Sequence, residues 1–209
     1  MEELAVESHA DRFWKWFIEH EELLFSLDCE CESERERVFD QLVSALQRVH
    51  QDLTFEFGPL SESRQFVISA AGLKRAFPAV INLVQAAPTL SRWRIIPFRP
   101  RRNPINAIQI NEKRIDPADV QFSLLDNGAN AGIYLFIPGF MESDVDFKQI
   151  GYLFLDETLG EYDVETNLGL IKMMAPEART AGERHPLVQL SALFDQLVAR
   201  LTARTEKRS

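Results

Sequence analysis

Leu53-Thr54-Phe55-Glu56-Phe57-Gly58-Pro59 is where the period of the chain changes. Leu53, Phe55 and Phe57 alternate with Thr54 and Glu56, the two-residue repeat of a strand with one apolar face. Gly58-Pro59 interrupts the run and Arg64 to Ala70 resumes it, so residues 53–70 read as a hairpin. On the N-terminal side the spacing is helical. Phe13, Phe17 and Leu24 fall on one stripe, which Trp14, Ile18 and Phe25 widen, and Val38, Leu42, Leu46 and Val49 form a second stripe on a helix starting near Ser33, with Glu36 completing a capping box. Residues 1–50 therefore predict a helical pair.

On the C-terminal side, Phe77, Val80, Ile81 and Val84 return to helical spacing, with Pro78 tolerable in a first turn. Strands are expected at about 93–99, 105–110, 118–125 and 132–138. Asp126-Asn127-Gly128 marks a turn, and Ile133-Tyr134-Leu135-Phe136-Ile137 is apolar on both faces, as in a central covered strand. A helix follows from about Asp144 to Leu159, with Gly160 placed to end it. Residues 161–165 and 168–174 look extended, 175–185 form a polar loop, and Leu187, Leu190, Phe194, Leu197 and Leu201 give a helix over 187–203 an apolar seam.

Helices and strands do not alternate strictly. The order predicts an α+β fold with a largely antiparallel sheet packed with helices, an N-terminal helical pair and a C-terminal amphipathic helix, rather than a doubly wound sheet. No Pro/Gly/Ser-rich linker appears, so 1–209 is expected as one compact domain, in which 1–50 is either a docked appendage or a small subdomain and 202–209 is a frayed tail.

The 209 residues carry a net charge of -9, which argues against DNA or RNA as the main partner. Along the chain that charge is segregated. Residues 1–66 are net -10, 67–115 net +8, 116–167 net -10 and 168–209 net +3. Cys29 and Cys31 are separated by one residue, a poor geometry for a mutual disulfide, and the acidic start Met1-Glu2-Glu3 lacks a signal-peptide pattern. A cytoplasmic protein is expected, without a membrane partner.

Chemical motifs are sparse. The nine glycines form neither G-x-G-x-x-G nor a P-loop, Ser69 lacks the glycine that a nucleophile elbow needs before it, and His20-Glu21-Glu22-Leu23-Leu24 lacks the second histidine of a helical zinc site. His9, His20, His50 and His185 are scattered, so no cofactor or sulfur/nitrogen metal site is expected. Three features remain as candidate sites. Glu161, Asp163 and Glu165 would share one face of an extended segment at intervals of about 7 Å, to be neutralised by arginines, a partner or a metal. Trp93, Arg94, Arg99 and Arg101, within Arg92–Arg102, would pair with that acidic block, bind a phosphate or carboxylate, or stack on single-stranded nucleic acid. Trp14 and Trp16, in Phe13-Trp14-Lys15-Trp16-Phe17, would be sandwiched in the core or meet another protein or subunit.

The opening aromatic helix, Phe55-Glu56-Phe57-Gly58, Trp93-Arg94-Ile95-Ile96-Pro97-Phe98-Arg99-Pro100-Arg101 and Leu159-Gly160-Glu161-Tyr162-Asp163-Val164-Glu165-Thr166 resemble a group of bacterial cytoplasmic proteins with no assigned activity. The resemblance spans most of residues 13–174, implies an α+β protein and transfers no catalytic residue. The residues themselves favour a non-enzymatic binding, regulatory or accessory protein that acts through protein-protein contacts with a partner or a second copy. The alternative is a metal-assisted hydrolase of a small anionic substrate, built from Asp156, Glu157, Glu161, Asp163 and Glu165, with Arg94, Arg99 or Arg101 orienting the substrate. A third reading is an acidic decoy for a basic nuclease.

Overall fold

Ser8 opens the first helix of the computed structural model, which describes residues 7–26, 32–180 and 182–206. Cys29, Cys31 and the end of the tail lie outside the described residues. The fold is α+β with mostly antiparallel sheets, and no helix among the described residues is long and apolar enough to cross a membrane. Composition marks no linker, yet the chain divides between Arg99 and Pro100 into two compact units, each with its own apolar core.

The first unit contains α1 (His9–Glu19), α2 (Glu21–Phe25), α3 (Glu32–Val49), β1 (Thr54–Phe57), β2 (Arg64–Ser69), α4 (Phe77–Gln85) and β3 (Trp93–Pro97). Ser8 Oγ accepts the Asp11 N–H at 3.1 Å and the Asp11 carboxylate accepts the Ser8 N–H at 3.1 Å, a reciprocal cap that starts α1. The expected single first helix is two, broken at His20. β2 is the middle strand, antiparallel to β1 and parallel to β3, with α4 as the crossover and Pro78 in its first turn. Phe66, on β2, is fully buried, and the rings of Phe17, Phe57, Phe55, Phe13, Trp14 and Trp93 lie within 5.1–6.4 Å of it. Burial therefore claims the aromatic run of α1: Phe13, Trp14 and Phe17 are core residues.

Arg64 is also buried, only 4% exposed, although it lies in a strand that reads as apolar. Its Nε donates to Gly58 O at 3.0 Å and its Nη1 to Phe25 O at 2.8 Å, so the guanidinium satisfies carbonyls of the β1–β2 connection and of the end of α2.

The second unit opens with the small hairpin β4 (Ile108–Ile110) and β5 (Lys113–Ile115), the latter unanticipated. A four-stranded sheet follows from β6 (Gln121–Asn127), β7 (Asn130–Phe136), β8 (Leu168–Met174) and β9 (His185–Pro186), in the order β8-β7-β6-β9. Residues 118 and 119, expected to begin a strand, belong instead to a 3₁₀ turn, Pro117–Asp119, capped by Asp116. β7 is central as its doubly apolar sequence requires: Ile133, Leu135 and Phe136 have no exposed surface. α5 (Val145–Leu159) and α6 (Glu161–Asn167) connect β7 to the parallel β8, and α7 (Leu190–Glu206) packs its seam of Leu190, Phe194, Leu197 and Leu201 into the same core. Each unit thus contains an antiparallel strand pair whose second strand leads through helix to a parallel neighbour, a recurrence that no sequence repeat announces.

The extended segment expected at 161–165 is instead the helix α6. Gly160 has φ 81° and ψ 148°, a backbone region open essentially to glycine alone, and it redirects the chain from one helix into another rather than into a strand. Glu161 and Asp163 occupy the first turn of α6, where the helix dipole favours carboxylates. Seven residues are too few for a 3.6-residue period to show, and the alternation of acids with Tyr162 and Val164 mimics a strand.

Candidate functional site

The folding of 161–165 as helix dissolves the expected row of three carboxylates. At 100° per residue, Glu161 and Glu165 share one side and Asp163 projects elsewhere. Glu161 is fully buried, Glu165 half-buried, and Asp163 accepts Arg101 Nη2 at 2.7 Å. Arg101 also donates to both oxygens of Asp195 on α7, at 2.9 and 2.7 Å, and through Nε to Leu159 O at 2.8 Å. The hydrogen bonds it donates to Asp195, then the one to Asp163, hold the guanidinium pKa above its ordinary value against the opposing effect of burial. One arginine therefore ties the end of α5 to α6 and α7. Arg102 places Nε 3.9 Å from Glu157, near the end of α5, and its N–H donates to Glu157 O at 2.7 Å.

The remaining arginines of this segment belong to the first unit and find their acids there. Arg92 reaches Glu22 at 2.5 Å and lies 3.8 Å from the centroid of Phe25, while Arg99 lies 2.8 Å from Glu56. Arg94 is exposed on β3. Trp93 is buried between Phe17, Phe25 and Phe57, and Trp14 donates its indole N–H to Leu83 O at 2.8 Å. Neither indole offers a stacking platform. Trp16 is half-buried, stacked on His20 at 4.5 Å. Within the second unit, the arginine and acidic segments meet through Arg101 and Arg102. Among the described residues no group of three His, Cys, Asp or Glu side chains could hold a metal ion.

A different place in the second unit has the form of a binding site. A groove of about 490 Å³ runs beside β6 and α7, lined by Leu124, Leu125, Leu193, Leu197 and Leu201, with Glu183, His185 and Arg200 among its polar groups. It lies past the end of the two-residue β9, where Glu183 O accepts the Ser123 hydroxyl at 2.8 Å. Gln121 and Phe122 of β6 pair with Pro186 and His185, and Leu187 N–H donates to Val120 O at 3.0 Å. Backbone groups alternate in direction along a strand, so those of Leu124 and Asp126 point to the same side as those of Val120 and Phe122, beyond the end of β9. No strand among the described residues pairs with them there.

The far end of the groove is clamped. Arg204 grips Asp126 with two hydrogen bonds, 2.6 and 3.0 Å, and donates to Gly128 O at 2.5 Å. The Arg204 hydrogen bonds, then the Gly128 N–H, bring the Asp126 pKa down to about 2 from 3.8. A carboxylate with a depressed folded-state pKa contributes stability above its unfolded value and loses it as pH falls through the folded one. The clamp is therefore intact above about pH 4 and released between about pH 4 and pH 2. Acid unfolding followed by tyrosine fluorescence is expected to show Asp126→Asn less stable than wild type at neutral pH, with the two converging by about pH 2. A difference independent of pH would exclude the ion pair as its source.

The α7 side of this groove had a sequence signal, the leucine seam; its β6 side had none, because the length of β9 is not written in a pattern. Comparison with protein-family models, curated proteins and solved structures returned no match.

Proposed function

We propose that this chain is a non-catalytic binding protein that takes an extended segment of a partner polypeptide along the open edge of β6. The feature that carries the reading is the edge itself: by strand alternation the main-chain groups of Leu124 and Asp126 point past the two-residue β9, and both residues line a groove together with Leu193, Leu197 and Leu201. Strand addition uses this combination, with main-chain hydrogen bonds supplying affinity and alternate side chains entering apolar pockets. Internal ion pairing of Arg101 with Asp163 and of Glu157 with Arg102 supports the same reading, since it gives three of the residues suggested for hydrolysis a structural occupation.

A displayed library of random peptides, selected on the full-length protein, tests the proposal. Selected peptides are expected to alternate apolar and polar residues. N-methylation at every second peptide residue in one register should weaken binding at least 10-fold, whereas methylation in the other register should leave it unchanged. Leu193→Glu, at the half-buried rim of the groove, is expected to weaken binding similarly. Peptides indifferent to both changes, or a selection that yields no binder, would overturn the reading.

A further inference from the structure

The first unit carries a second, chemically different cavity. His9, Arg12, Phe13 and Trp16 of α1 and Ala45 and Arg48 of α3 enclose about 420 Å³. The helices run in opposite directions here, since His9 at the start of α1 meets the Arg48 carbonyl at the end of α3, 2.5 Å from His9 Nδ1. A carbonyl can only accept, so Nδ1 carries the proton and Nε2 remains available. The small side chain of Ala45 faces this space, and the rings of Phe13 and Trp16, 6.3 Å apart, supply an aromatic wall.

The charge of this cavity runs against its surroundings. Residues 1–66 are net -10, yet the titratable groups lining the space are two arginines and a histidine, with no carboxylate among them. The Arg12 and Arg48 guanidinium groups have no hydrogen-bond or ion-pair partner among the described residues, unlike Arg64, Arg75, Arg92 and Arg99 of the same unit. The nearest acid in sequence, Asp11, is engaged by the N–H and hydroxyl of Ser8. Two guanidinium groups at the mouth of a cavity walled by Trp16, with the core residue Phe13 behind it, match a flat ring that bears a carboxylate: the ring lies against Trp16, and the arginine donors bind the oxygens.

The geometry points to a binding site for a small aromatic carboxylate between α1 and α3, independent of the groove in the second unit. Calorimetric titration of the full-length protein with naphthalene-2-carboxylate tests it, beside the neutral naphthalene-2-carboxamide and ring-free acetate. The carboxylate is expected to bind with a Kd below about 1 mM, and both comparators at least 10-fold more weakly. Arg48→Gln and Arg12→Gln change exposed side chains and should leave the melting temperature unchanged while each weakens the carboxylate at least 5-fold. Equal binding of carboxylate and carboxamide would reduce the cavity to an apolar patch and overturn the proposal. So would affinity unaffected by both arginine substitutions, or no binding at millimolar concentration.

Discussion

Phe66→Ala is expected to destabilise the first unit by about 3–5 kcal/mol, the cost of truncating a fully buried phenylalanine whose cavity cannot close. The position is unusually unforgiving. Its ring touches a cluster contributed by α1, β1 and β3, and aromatic rings around a vacated site cannot collapse into it without leaving their own rotamers. Trp14, Trp16 and Trp93 are the three tryptophans of the chain and all lie in this unit, so urea unfolding followed by tryptophan fluorescence reports it directly. Phe66→Leu should lose much less, about 1 kcal/mol, because most of the volume is kept. A loss below about 1.5 kcal/mol for Phe66→Ala would mean that the aromatic cluster is not the centre of this core.

Arg101→Met is expected to cost the second unit about 2 kcal/mol. Fully buried charge-assisted bonds would give more, but the side chains of Arg101, Asp163 and Asp195 are 32%, 29% and 56% exposed, and solvent screening reduces each pair. Methionine keeps much of the alkyl packing and leaves Leu159 O without its guanidinium donor. Double-mutant cycles with Asp163→Asn and Asp195→Asn should find coupling to both, Asp195 accepting two hydrogen bonds at the more exposed position and Asp163 one at the less exposed. The chain's three tyrosines, Tyr134, Tyr152 and Tyr162, lie in this unit and provide the probe. A loss below about 0.5 kcal/mol would return Arg101 to the pool of groups available to an anionic substrate and raise the hydrolase alternative.

The long elements were legible because each buries one stripe of many residues. Leu168 to Met174, the helix beginning at Asp144, the hairpin around Gly58 and the leucine seam of the last helix all appear where periodicity and caps put them. Short elements were not. Seven residues after Gly160 carry fewer than two helical turns, and their acids satisfy either a strand alternation or a helix N-terminus. Only the glycine's backbone angles and the packing of Val164 into the core separate the two.

The candidate sites were legible as chemistry and illegible as pairing. Charge counts located an arginine segment next to a carboxylate segment, but which acid meets which arginine depends on groups 62 and 94 positions apart for Arg101, and 70 apart for Arg92. Arg12 and Arg48 drew no notice in the sequence because single arginines on helices read as solvated faces; only the opposition of α1 and α3 sets them around one cavity.

By itself the sequence determined the α+β class, the order of the principal helices and strands and the segregation of charge, since local periodicity and composition are properties of neighbours along the chain. Tertiary structure decided the division at Arg99, the burial of Arg64, Trp14 and Trp93, the acids that Arg92 and Arg101 meet and the two-residue length of β9 beside β6. These depend on which distant segments pack together. Burial free energy accrues over that packing, and no local pattern encodes where a neighbouring strand stops.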